Sequence, residues 1–202
     1  MALLGIENLT AEIRLGLWKI EDRVEDIVAA DRRIAPLVDF VEASYRSMSR
    51  RKEVLAVYAL LFAMTGDSSL RISHDTLSCP KLEGYNISIS HTHGYAALIL
   101  STRDSVAVDI EYYSDRVKHV VPKFIRSDEY AADINSMLVH WCAKETMFKL
   151  LHEENLDMLE IRLHPFTVTS EGEVAADDLK KEKIQKIYYR FNEDFVLTYA
   201  YL

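Results

Sequence analysis

Val106-Ala107-Val108-Asp109-Ile110-Glu111 reads as a short strand, apolar at its start and acidic at alternate positions at its end. On a strand, residues two apart leave the same face, so Asp109 and Glu111 project together while Ile110 points the other way. After it, Ser127 with Glu129 close behind predicts the opening of a helical region, which the apolar periodicity of Leu138 to Leu151 continues. Leu159 to Val168, Ile184 to Phe191 and Phe195 to Tyr201 then read as strands.

Before it, Ile13 to Ile20 alternates as a strand does, and Pro36 to Met64 carries apolar residues at helical spacing until Thr65-Gly66-Asp67 stops it. Tyr85 to Ser90 and Tyr95 to Ser101 read as a hairpin around Thr92-His93-Gly94, with Gly94 supplying the turn. The order strand, helix, hairpin therefore occurs twice. Leu17-Trp18-Lys19-Ile20-Glu21 lies over Val108-Asp109-Ile110-Glu111, Lys52-Glu53 over Lys144-Glu145, and Tyr95-Ala96-Ala97-Leu98 over Phe195-Val196-Leu197-Thr198. The offsets drift, so chance likeness between elements of one kind competes with a true repeat. A true repeat implies two similar lobes related by a pseudo-twofold, with the cleft between them as the ligand site.

The chain has 202 residues, 49% apolar and 28% charged, which excludes intrinsic disorder and is enough to build a core without a metal staple. Glycine and proline are scarce and no flexible linker is evident, so residues 1–104 and 105–202 are expected to pack as one functional unit. The formal charge of −8 argues against a nucleic-acid partner. The longest apolar run, Val54 to Met64, is shorter than the roughly 18–20 residues that span a bilayer, so no membrane partner is expected. Met1 to Ile6 ends at Glu7 with no basic leader or cleavage site and does not read as a signal peptide. Cys79 and Cys142 are far apart and outside any Cys-x-x-Cys pattern. A reducing, cytoplasmic location and a monomer are expected.

Two carboxylates on one strand face can share a magnesium ion, which takes oxygen ligands, although a solvated edge strand would read the same way. In Trp141-Cys142-Ala143-Lys144-Glu145-Thr146-Met147-Phe148-Lys149, the residues Trp141, Glu145 and Lys149 fall on one helix face. That face is either an exposed ion pair or, if it lies beside the acidic strand, a third metal ligand or base at Glu145 and a phosphate contact at Lys149. His91, near a tight turn, can donate to a phosphate oxygen. His91 and His93 would also suit zinc, yet no Cys or third His follows at recognisable spacing. Arg46, Arg50, Arg51 and Lys52 form a basic patch on the predicted first-lobe helix.

Taken in order, these segments resemble the 4′-phosphopantetheinyl transferase superfamily in its two-lobed, surfactin-synthetase-activating form. Ser88-Ile89-Ser90-His91-Thr92 matches the Ser-His element, and Val106 to Glu111 matches the acidic strand. Lys123-Phe124 with Ser127-Asp128-Glu129-Tyr130 resembles the F-x-x-x-E segment, and Trp141 to Lys149 the W-x-x-K-E-x-x-x-K helix. The likeness runs from about Arg50 to Leu151. It implies an α+β fold of two similar lobes, each a helix packed on a small antiparallel sheet. The implied activity is magnesium-dependent transfer of phosphopantetheine from coenzyme A to a serine of an apo acyl or peptidyl carrier protein, releasing adenosine 3′,5′-bisphosphate. Asp109, Glu111 and Glu145 would hold magnesium. Lys149 and His91 would contact phosphates, and Glu145 would take the serine proton directly or through a water.

Three positions depart from the pattern. Cys79, in Ser78-Cys79-Pro80, stands where a loop lysine often meets coenzyme A; Ala107 replaces a glycine; and Tyr58 replaces an arginine. With the loop lysine gone, Arg46, Arg50 and Arg51 are expected to carry the 3′-phosphate, since guanidinium forks suit that dianion. Two rivals remain: a metal-dependent nuclease, and a carrier-binding homologue that has lost turnover.

Overall fold

The computed structural model describes residues 3–20 and 23–202. Met1, Ala2 and Glu21, the last a member of the apparent repeat, lie outside the described residues. The chain divides into two compact units, Met1–Asp104 and Ser105–Leu202. Both are mixed α+β with antiparallel sheets.

In the first unit, β1 (Leu3–Asn8) and β2 (Ile13–Lys19) are followed by α1 (Val24–Ala30), a 3-10 helix Arg32–Leu37, α2 (Val38–Ser44) and α3 (Met48–Thr65). Two-residue strands β3 (Ser73–His74) and β4 (Pro80–Lys81) precede the hairpin β5 (Asn86–Thr92) and β6 (Tyr95–Ser101). The sheet order is β1-β2-β6-β5. The single helix expected from Pro36 to Met64 is broken. Tyr45 is extended and Ser47 caps a new start, its Oγ accepting from the Arg50 amide at 3.4 Å. Gly66 ends α3 at φ +76°, where its amide donates to the Phe62 carbonyl at 2.9 Å.

Helix α3 lies on β2 and β6, while α1, α2 and the 3-10 helix cover its other side. Its residues Leu55 to Phe62 are therefore buried without a break, which is why Val54 to Met64 is apolar all round. Approach to the sheet is close at Gly16, where a Cβ would stand 2.6 Å from Met64 Sδ and 2.7 Å from Leu60 Cδ1. The β5–β6 turn is the expected one: Thr92 pairs with Tyr95, and Gly94 takes φ +79°.

In the second unit, β7 (Val106–Tyr112) leads through two 3-10 turns to α4 (Ile134–Leu150), β8 (Ile161–Leu163), β9 (Glu171–Asp178) and the hairpin β10 (Lys183–Phe191) and β11 (Phe195–Tyr201). The sheet order is β7-β11-β10-β9-β8, with α4 packed on β7, β10 and β11. In each unit the strand before the main helix pairs with the last hairpin strand: β2 with β6, and β7 with β11.

Ser127 does not open a helix. The cap is Asp133, which accepts the Ser136 amide at 2.7 Å while Ser136 Oγ accepts the Asp133 amide at 3.1 Å. Glu129 turns inward to take the Leu163 amide at 2.6 Å and the Lys144 ammonium at 2.7 Å, so its segment folds around that carboxylate and not into a helix. The expected strand Leu159–Val168 shrinks to three residues because only Ile161–Leu163 pairs with β9. Strand β9 itself, with acids at four of its eight positions, lacks the apolar alternation that marks the other strands. No helix among the described residues is long and apolar enough to cross a membrane.

Candidate functional site

Asp109 and Glu111 sit on β7 opposite Thr198 and Val196 of β11, and their shared face meets α4. Trp141, Glu145 and Lys149 line the facing side of that helix. Trp141 Nε1 donates to Glu111 Oε1 at 3.0 Å, and Lys149 Nζ donates to Asp109 Oδ1 at 2.7 Å and to the Val108 carbonyl at 3.1 Å. Behind them, Thr198 Oγ1 donates to the Cys142 carbonyl at 2.8 Å and bonds Thr146 Oγ1 at 2.6 Å, locking α4 to β11.

The three carboxyls feel one another. Burial first, and the Asp109 charge second, push the Glu111 carboxyl from 4.5 to about 7 against the Trp141 hydrogen bond. The Glu145 carboxyl is also pushed up, by burial and then by Asp109, with Lys149 opposing. Carboxyls so placed gain from a proton or a cation that reduces their mutual repulsion. Among the described residues, no group of three or more His, Cys, Asp and Glu is arranged to hold a metal ion as it stands. Lys149 already clasps Asp109 in an ion pair. Asp109 is buried, and a buried carboxylate must keep a cation close.

Lys144, next to Glu145, faces the other way and is wholly buried. Its ammonium donates to the carbonyls of Phe124 at 2.6 Å, Ile161 at 2.7 Å and Met158 at 3.3 Å, and to Glu129 at 2.7 Å. This residue fastens the segments before and after α4 onto the helix. It went unassigned in the sequence because a lysine in a charged helix looks solvated.

The first unit holds a pocket of about 350 Å³ whose lining includes Arg50, Glu53, His74 and His91, with Tyr45 and Tyr58 among its walls. Arg50 Nη1 donates to His91 Nε2 and to Glu53 Oε2, the latter at 3.2 Å, and Glu53 Oε2 lies 3.5 Å from His91 Nδ1. The Arg50 guanidinium also stands over the Tyr45 ring, 5.8 Å from its centroid. Ser78 and Pro80 border the same pocket, flanking Cys79, whose amide donates to Asp75 Oδ1 at 2.9 Å.

Of the expected basic trio, only Arg50 is in the lining. Arg51 donates from Nε to the Tyr45 carbonyl at 2.7 Å and from Nη2 to the Glu42 carbonyl at 3.1 Å, closing the open end of α2. Arg46 is exposed in the Tyr45–Ser47 link and not on the helix. Tyr58 accepts the Ile72 amide at its hydroxyl, 3.1 Å away, and braces the pocket wall. The sequence assigns Glu53 and His74 no role; it shows Glu53 only as the counterpart of Glu145 in the apparent repeat and three residues after Arg50, an ordinary helical ion-pair spacing.

A scan against protein-family models finds no match for the chain, and a search of curated proteins finds none either.

Proposed function

We propose that this protein transfers 4′-phosphopantetheine from coenzyme A to a serine of an apo carrier protein, as the motif order implies. The observation that supports this reading most is the acidic group of the second unit. Two carboxylates of β7 and Glu145 of α4 are close enough to raise one another's affinity for positive charge, and Lys149 stands beside them. An all-oxygen donor set of this kind suits magnesium. When bound, magnesium would supply a Lewis acid for phosphoryl oxygens. Asp109, Glu111 and Glu145 would hold it, which requires Lys149 to leave Asp109.

Lys149, released, has the reach and charge to neutralise a phosphate oxygen. Glu145, with its carboxyl pushed up by burial, is suited to accept the proton of an attacking serine hydroxyl. In the first unit, Arg50 and His91 would take phosphate oxygens of coenzyme A, and the aromatic and aliphatic walls a flat apolar group.

Intact-protein mass spectrometry tests the reading: apo acyl or peptidyl carrier proteins are incubated with the full chain, coenzyme A and magnesium. A carrier mass gain equal to one phosphopantetheine, lost with chelator, is the expected result. Stoichiometric carrier binding with no mass gain under any condition would instead mark a binding homologue without turnover.

A further inference from the structure

The strand face that carries Asp109 and Glu111 continues past β7. The Tyr113 amide donates to the Asp194 carbonyl at 2.8 Å, extending the ladder by one residue, so Tyr113 falls on the same face as Glu111, about 7 Å further on. Its ring meets Phe191 edge-on, with centroids 6.2 Å apart, and Phe191 packs against the cluster that holds Leu138, Val139 and Cys142 of α4. Beyond that pair the same unit opens into a groove of about 600 Å³. Its walls are Tyr113, Phe191 and Val168, with Asn135 from the first turn of α4 and Thr169 and Asn192 from the connections beside it. Trp141 reaches Glu111, and Asn135 lies six residues before it, so the helix end of the groove stands about 9 Å along α4 from the acidic group.

The walls are fixed before any ligand arrives. The buried Tyr189 hydroxyl donates to the Thr167 carbonyl at 3.1 Å and accepts the Thr169 amide at 3.3 Å, and the Phe191 amide donates to the Ser170 carbonyl at 2.7 Å. Asn192 Oδ1 accepts the amides of Asp194 and Phe195, both at 2.9 Å, which leaves its NH2 to donate. Preformed walls lower the cost of ordering a flexible ligand.

We propose that this groove is the subsite for the pantetheine arm of coenzyme A. The inference rests on the proposed function for its ligand. The arm is joined to the phosphate that the acidic group would handle, and a groove opening about 7 Å from Glu111 is within its reach. Its chemistry is uncharged: a branched dimethyl carbon, a hydroxyl and two amides before the thiol. The rings of Tyr113 and Phe191 with Val168 suit the dimethyl carbon, and the side-chain amides of Asn135 and Asn192 suit the peptide-like links. Glu193, exposed at the rim, is the one charged residue among the described residues that line the groove. Size separates this occupant from the carrier protein. Eight described residues line the groove, whereas a stable protein interface takes roughly 20–30 residues a side.

The test is calorimetric titration of the full chain, with magnesium present, by coenzyme A and by 3′-phosphoadenosine 5′-diphosphate, the same nucleotide without the arm. Tyr113→Ala and Asn135→Ala should each weaken coenzyme A binding roughly fivefold or more and leave the truncated nucleotide within about twofold of wild type. Tyr113→Phe should bind coenzyme A as the wild type does, since it keeps the ring. Tyr113 is 43% exposed, so loss of its ring leaves the fold intact, and chemical unfolding of each variant checks this. Coenzyme A affinity unchanged in Tyr113→Ala, or both nucleotides weakened alike in a variant that remains folded, overturns the inference and leaves the transferase reading standing. A rise confined to the KM for the apo carrier protein does the same and gives the groove to the carrier. No binding of either nucleotide together with no carrier mass gain overturns both.

Discussion

At the residue scale, burial decides which charges are chemical and which are structural. The Glu111 carboxyl, pushed from 4.5 to about 7, keeps a proton in the folded protein that the unfolded chain has already released. Its contribution to stability is therefore full below about pH 4.5 and is lost as pH rises through about 7. In chelator, Glu111→Gln should flatten the fall in urea-unfolding free energy between about pH 5 and 8 by on the order of 1–3 kcal/mol relative to wild type. Parallel pH profiles for the two proteins would contradict it. The neighbouring arginines divide in the same way. Arg51→Ala should cost about 1–2 kcal/mol by leaving carbonyls of α2 without a donor, with coenzyme A affinity unchanged. Arg50→Ala should weaken coenzyme A binding roughly tenfold or more with little loss of stability, since it removes a charge-assisted contact at a partly exposed site. Calorimetric binding beside chemical unfolding separates them; a swapped pattern would place the phosphate at Arg51.

At the element scale, the acidic face is shaped by how α4 is held. Lys144 gathers the carbonyls of Phe124, Met158 and Ile161 and the carboxylate of Glu129, so one ammonium ties the irregular segments on either side of α4 to its buried flank. Both it and Glu129 have side chains fully out of solvent. Lys144→Met should cost about 3–5 kcal/mol in unfolding free energy, because it strands the Glu129 charge as well as removing three bonds to carbonyls. The double variant Lys144→Met, Glu129→Gln should recover part of that loss. A loss within about 1 kcal/mol for the single variant would mean that water or another donor replaces the ammonium.

At the scale of the whole molecule, the proposed reaction draws on residues of both units, and substitutions in each should impair it differently. Asp109→Ala, which removes an assigned metal ligand, should lower kcat about a hundredfold or more. Its KM for coenzyme A should move little. Arg50→Ala should raise that KM and spare kcat by comparison. Steady-state transfer to one apo carrier protein measures both. If both variants changed only the KM for the carrier protein, the two sets of residues would belong to a docking surface, and the transferase assignment of roles would fail.

Local signals sufficed for much of the architecture. Alternation marked β2, β5, β6, β7, β10 and β11, glycines at 66 and 94 marked a helix end and a hairpin turn, and spacing alone put Asp109 and Glu111 on one face and Trp141, Glu145 and Lys149 on another. These features depend on periodicity and on turn chemistry, both of which act between residues near in sequence. What decided the rest was distance in sequence folded into contact. The inward turn of Glu129, the burial of Lys144 and the approach of His91 to Arg50 and Glu53 each depend on partners that no local pattern names. A lysine that is solvated and one that ties four acceptors have the same one-dimensional signature, because desolvation and hydrogen bonding are settled only when remote segments pack.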